Sequence, residues 1–185
     1  MRYAANHKEA TRARLLTVTG SLVKKQGFAA TGVDALMAAA GLTSGAFYSH
    51  FGSKKALLEA IIDNELARSR KFFAAESNDA AMAAVEKYLS LAHLNDPESG
   101  CAVPALSSEI ARADDATRQM FERGIGLLQQ QILATVQDQG KAWALIALLV
   151  GAVTVARGLA SDAARQAMLD GALAQVRAML HDGRE

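Results

Sequence analysis

An all-α fold follows from three features of this chain. Half of its residues are apolar, with alanine and leucine, both strong helix formers, prominent among them. Val, Ile, Tyr and Phe are too sparse for a sheet protein, and aromatic residues reach only 5 %. Two prolines are all that the 185 residues contain, so long helices can run unbroken between glycines. About nine helices are expected, in two units. Residues 1–58 form a small three-helix head, followed by a connecting helix to about 73, and residues 59–185 form a larger helical body.

The first helix is expected from about Lys8 to Gln26, with Leu15, Val18 and Leu22 at helical spacing. Gly27 supplies the left-handed residue that ends it, after Lys24 and Lys25 in the last turn. Thr31 and Asp34 have the spacing of an N-cap and a first-turn acid, and Gly41 stops that second helix after about nine residues. Thr43 or Ser44 caps a third helix, which Gly52 ends in under three turns. Ser53 opens a longer helix to about Phe73, carrying Leu57, Leu58, Ile61, Ile62 and Leu66. Two short helices joined by a tight glycine turn and packed on a longer first helix make a helix-turn-helix. The body is expected to hold helices at about Asp79–Leu94, Pro104–Ala113, Asp115–Asp138, Lys141–Ala160 and Asp162–His181, with NDPESG (Asn95–Gly100) as a loop.

Charge is divided unevenly. Residues 1–70 carry ten Lys/Arg against five Asp/Glu, and the remainder carries ten against fourteen. A basic head facing a polyanion and an acidic body is the reading preferred over chance fluctuation. One cysteine, Cys101, excludes an intrachain disulfide and a multi-cysteine metal site. No HExxH, phosphate loop or third group to orient a His93–Cys101 dyad is present, so an enzyme is disfavoured and neither cofactor nor metal is expected. The polar, basic start is not a signal peptide, and Ala142–Ala156 looks too short to span a bilayer comfortably, so no membrane partner and a cytoplasmic location are expected.

Gly41–Leu58 carries the functional pattern. On a helical projection Phe47 and Phe51 share an inward row, with Gly45 and Ser49 roughly opposite and Tyr48 and His50 flanking that outer face. A helix entering a major groove needs small residues that let its backbone approach base edges, and flanking donors for phosphates. Lys54 and Lys55 open the next helix, where cations oppose the dipole unless a phosphate sits there. Alone they would be an ordinary solvated face; with Tyr48 and His50 one turn earlier, the phosphate reading is preferred.

Gly27-Phe28, Thr31, Val33, Ala40-Gly41, Thr43, Gly45, Phe47-Tyr48, His50-Phe51, Ser53-Lys54 and Leu57-Leu58 fall in an order and spacing that resembles the N-terminal domain of the TetR (TetR/AcrR-like) family. Gly32, where Ser or Thr is common, and Lys55, where an acid is common, depart from that pattern. The resemblance implies a DNA-binding transcriptional regulator, most often a repressor, acting as a homodimer on double-stranded, pseudo-palindromic operator DNA. It implies that Thr31, Tyr48 and Lys54 hold the backbone, that Thr43, Ser44, Gly45 and Ser49 approach the bases, and that His50 sits at the edge, with Lys55 adding a phosphate contact. An extended basic start (Arg2, His7, Lys8, Arg12) would reach a neighbouring phosphate or minor groove.

In the body, AWALIALLVGAVTVA (Ala142–Ala156) is apolar all round and must be covered on every side. We assign the last two helices, about residues 141–181, to a two-fold four-helix interface, with a monomeric core helix as the alternative. The middle helices would enclose a pocket for a small apolar or aromatic effector. Its candidate lining is Phe72, Met82, Tyr88, His93, Cys101, Leu106, Glu109, Met120, Trp143 and Arg157, any of which could instead be plain core. Glu109 and Arg157 stand out as charges in apolar helices; they could pair with each other. Cys101 fits either a small buried apolar residue, the preferred reading, or a thiol at a helix start that senses an electrophile or oxidant. A DNA-binding regulator with no small-molecule effector is the remaining alternative.

Overall fold

The computed structural model describes the backbone of residues 2–75 and 77–181 and the side chains of 8–75 and 77–180. Among them are ten α-helices and no strand: α1 (Arg2–Gln26), α2 (Val33–Ala39), α3 (Ser44–His50), α4 (Lys54–Phe72), α5 (Asn78–Tyr88), α6 (Leu91–Asn95), α7 (Val103–Ile110), α8 (Asp115–Val136), α9 (Gln139–Gly158) and α10 (Asp162–His181).

The head forms as its caps dictate. Gly27 takes φ +83° and its N–H reaches the Val23 carbonyl at 2.9 Å, which closes α1. Gly41, at φ +69°, turns the chain from α2 into α3. Leu15, Val23, Leu36, Met37, Phe47, Leu57 and Ile61 fill the space between the four helices and are essentially inaccessible. The Arg14 guanidinium donates to the Ala40 carbonyl (3.0 Å) and so occupies an acceptor freed at the end of α2. Residues 2–7 continue α1 as helix, so the extended basic arm expected there is not formed; the side chains of Arg2 and His7 lie outside the described residues.

Three expected elements are corrected. Thr31 does not cap α2: Gly32 holds that position without a side-chain bond, while the Thr31 hydroxyl donates to the Gly27 carbonyl at 2.6 Å. The helix expected over Asp79–Leu94 is two, which raises the count from nine to ten. Ser90 breaks it by donating its hydroxyl to the Lys87 carbonyl (2.8 Å) and accepting from the His93 N–H (3.2 Å), a local alternative to helical bonding. The stop between α8 and α9 falls at Gln137, in the left-handed conformation at φ 55°, and α9 begins at Gln139 rather than at Lys141. Asp138 then caps α9 by accepting from the Lys141 N–H at 2.7 Å.

In the body α9 lies among α7, α8 and α10. Its inner face is Ala142, Leu145, Ile146, Leu149, Ala152, Val153 and Ala156. The chain alone covers that face and no more: Trp143, Ala147, Thr154 and Val155 are exposed. The whole of α9, at 20 residues and mean hydropathy 1.5, is long and apolar enough to cross a membrane by length and composition only, as the core helix of a soluble protein can also be.

Candidate nucleic-acid interface and effector cavity

Phe47, at 1 % exposure, anchors α3 in the head and leaves the opposite side of that helix uncovered. Thr43, Ser44, Gly45, Tyr48 and Ser49 are all exposed there, Tyr48 at 74 % with its ring edge-on to Phe47. The Ser49 hydroxyl donates back to the Ala46 carbonyl (2.7 Å), and Ser44 donates to Asp34 on α2 at 2.5 Å, which pins the start of α3. His50 is half-buried, with Nδ1 buried and unpartnered among the described residues. Ser53 caps α4 by accepting from the Ala56 N–H at 3.0 Å. Lys54, the first residue of α4, lies over the Phe28 ring at 4.9 Å.

Two members of the expected DNA-facing set are turned elsewhere. Thr31 is buried, its hydroxyl already spent on Gly27. Lys55 points to the body and meets Asp114, the N-cap of α8, at 2.7 Å, and Glu59 at 3.7 Å. The hydrogen bond to Asp114 raises the ammonium's pKa, and the same bond, with the Thr117 N–H, holds Asp114 down at about 2.

The body contains a cavity of about 600 Å³ between the second half of α4, the end of α5, α6 and the loop before α7. Phe72, Tyr88, His93 and Cys101 line it, as expected, and Phe73 completes a run of ring contacts: Phe72–Phe73 at 5.0 Å, Phe73–Tyr88 at 5.5 Å and Tyr88–His93 at 4.5 Å. His93 is held at both nitrogens. Nδ1 meets the Tyr88 carbonyl (2.6 Å) and Nε2 accepts from the Cys101 N–H (3.3 Å), which fixes the neutral ring with its proton on Nδ1. Burial lowers its pKa, partly offset by the bond to Tyr88. The Cys101 thiol sits half-buried, 3.5 Å from the Ser69 hydroxyl. Burial also pushes the Tyr88 phenol well above its ordinary value and lowers the Arg157 guanidinium.

The other expected lining residues lie elsewhere. Glu109 neither faces the cavity nor pairs with Arg157. Its carboxylate accepts from the Phe28 and Ala29 N–H groups at 2.9 and 2.8 Å, where α1 hands over to α2. Met120 and Met82 are half-buried against the core, Leu106 is fully buried in it, and Trp143 is 44 % exposed on α9. Lys24 and Glu65 escaped notice in the sequence: they form a buried pair at 2.8 Å, exposed by 0 and 2 %. Lys24 also donates to the Gly100 carbonyl in the cavity wall (3.0 Å), and Arg68 donates to Glu65 at 2.9 Å. Forty-one positions separate the pair, so only the apolar surroundings of Lys24 hinted at it.

Residues 15–61, which span the head, match the profile of the bacterial regulatory proteins of the tetR family. An uncharacterized HTH-type transcriptional regulator from the lacX 3′ region of Lactococcus lactis subsp. lactis is 25 % identical over 159 residues, covering 77 % of this chain and 81 % of that protein. The fold is shared with a crystal structure of E. coli NemR in its reduced form (TM-score 0.76, 23 % identity, 92 % of this chain and 97 % of that one). It is shared equally with a TetR transcriptional regulator from Chloroflexus aurantiacus J-10-FL (TM-score 0.78, 23 % identity, 95 and 96 %). Residues 15–61 thus match the tetR-family helix-turn-helix, and the chain as a whole shares its all-helical fold with solved TetR-type regulators.

Proposed function

We propose that the protein is a cytoplasmic repressor that binds a pseudo-palindromic operator as a homodimer and leaves it when a small molecule enters the body. The observation that carries the DNA contact is the uncovered face of α3, small and polar at its centre, beside Lys54 at the start of α4. Thr43, Ser44, Gly45 and Ser49 approach bases, Tyr48 and Lys54 hold phosphates, and His50 stands at the edge. Lys54 can swing from the Phe28 ring to a phosphate, because a cation over an aromatic face gains only about 0.5–1 kcal/mol at an exposed site. Thr31 and Lys55 drop out of this set in the conformation described.

The division of labour follows the helices: residues 1–58 read DNA, α4 runs from the head to the cavity, and residues 59–185 bind effector and partner. The exposed apolar residues on α9 support a second copy packing through residues about 141–181. The effector is a small aromatic or apolar molecule. Cys101, half-buried in the cavity wall, favours a second reading in which an electrophile or oxidant acts through the thiol.

Operator anisotropy titrations across salt concentrations test the DNA contact. Tyr48→Ala and Lys54→Ala weaken binding to a similar degree whatever the base sequence. Lys54→Ala also lowers the slope of log affinity against log salt by about one. An unchanged slope for Lys54→Ala removes the phosphate contact.

A further inference from the structure

Two hydroxyl protons on the uncovered face of α3 are spent within the chain. A hydroxyl has one proton and two lone pairs, whereas an ionised carboxylate or a carbonyl can only accept. Ser44 therefore gives its proton to the Asp34 carboxylate, at 2.5 Å, and Ser49 gives its proton to the Ala46 carbonyl, at 2.7 Å. Both serines are exposed, and so is Asp34. What they turn outward is lone pairs: one acceptor at Ser44, one at Ser49, and the carboxylate beside Ser44. Thr43, the N-cap position, makes no side-chain capping bond and keeps its proton.

Residues 43–50 read TSGAFYSH, without Arg, Lys, Asn or Gln. Guanine is ordinarily taken at O6 and N7 by Arg or Lys, and adenine at N6 and N7 by Asn or Gln. Both purine edges, and the O4 of thymine, present an acceptor that repels the lone pairs of Ser44 and the charge of Asp34. Cytosine is the one base whose major-groove edge offers a donor, its N4 amino group, and no acceptor.

We propose that Ser44, its proton held by Asp34, accepts from a cytosine amino group in the major groove, and that Asp34 is the positioning residue that sets this preference. This rests on the reading of α3 as the helix that faces bases, and it names the base. The Ser44–Asp34 bond is charge-assisted, so turning the hydroxyl round to donate to a guanine or thymine oxygen gives up a strong bond. The Ser49 bond goes to a neutral carbonyl of its own helix and is released more easily, so the preference at the position it faces is weaker.

Site selection from random duplexes with the native protein, Ser44→Ala and Asp34→Asn locates the contact. One half-site position is enriched as cytosine by the native protein and flattened by both variants. Anisotropy titrations then identify which base of that pair is touched. One duplex carries N4-methylcytosine there, whose methyl group replaces the groove-side amino proton; another carries 7-deazaguanine opposite, which lacks N7. N4-methylcytosine weakens native binding by about tenfold and Ser44→Ala binding by less than about twofold, and 7-deazaguanine changes native binding by less than about twofold. Asp34→Asn cuts the preference for cytosine over thymine from about tenfold to under about threefold. It binds each duplex no more weakly than the native protein, because a negative charge has left the side that faces DNA. The base preferences are ratios of affinities within one variant, which a general loss of stability does not move. The proposal is overturned if 7-deazaguanine weakens binding and N4-methylcytosine does not, or if Asp34→Asn keeps the full cytosine preference. A selected sequence that neither variant alters overturns it and leaves the reading of DNA by α3 standing; no selected sequence at all overturns both.

Discussion

His93 shows what one residue's protonation state does in this body. The ring accepts the Cys101 N–H at Nε2, which a second proton would forbid, and it faces Arg157 and Lys24, which disfavour a cation, with Asp96 as the opposing charge. Burial first, and then the charges of Arg157 and Lys24, put its folded pKa below the ordinary 6.5. The unfolded chain binds the proton first as pH falls, so the stabilisation is complete above about pH 6.5 and is lost from there down to the folded value. Between pH 7.5 and 5.5 the urea midpoint should fall in the native protein, and fall less in His93→Gln. Equal falls in the two would assign the titration to other groups. Asp114 adds a separate acid limb, because its contribution is full above about pH 4 and fades as pH approaches 2. The same residues mark what a sequence can convey. The inward row of Phe47 and Phe51 and the outward Gly45 and Ser49 followed from helical geometry alone. Arg157 was visible as a charge in an apolar helix that needs a counterpart, but the sequence could not say that no acid among the described residues pairs with it.

At the scale of the elements, head and body are tied in more places than the connecting helix suggested. The second half of α4 lines the cavity while its first residues belong to the head. Beside it, α7 reaches the head through Glu109, the cavity wall at Gly100 holds Lys24 of α1, and the start of α8 holds Lys55. Residues 99–101 therefore touch α1 directly as well as α4. The Glu109 bonds are charge-assisted and partly buried, so Glu109→Ala should cost about 1–3 kcal/mol in urea unfolding. It should also speed hydrogen exchange at the Phe28 and Ala29 amides; unchanged exchange at both would mean that the bonds do not hold the head in solution. Glycines and capping residues made most helix ends legible: Gly27 and Gly41 stop helices, and Ser53 and Asp162 start them where expected. The split at Ser90 was not legible, because a serine hydroxyl competes with the backbone only where tertiary packing lets it. Glu109 was read as a pocket residue for a similar reason. Its partners are backbone amides 80 and 81 positions away, which carry no side-chain signature.

On the scale of the whole molecule, a basic head with one uncovered reading helix is joined to a body whose apolar α9 is only partly covered. One such head reads too few bases for useful specificity, so the proposed dimer would fix two heads through a shared α9–α10 interface. In the proposed switch a ligand in the cavity would release DNA only by favouring a spacing of the two heads that the operator cannot match, and the coupling must be reciprocal: operator would weaken ligand binding by the same factor. All of this depends on two-fold reading of DNA, which site selection from a pool of random duplexes measures directly. The purified protein should enrich an inverted repeat, its half-sites separated by about one helical turn or a multiple of it. Enrichment of a single asymmetric half-site, or of no sequence at all, would contradict the account.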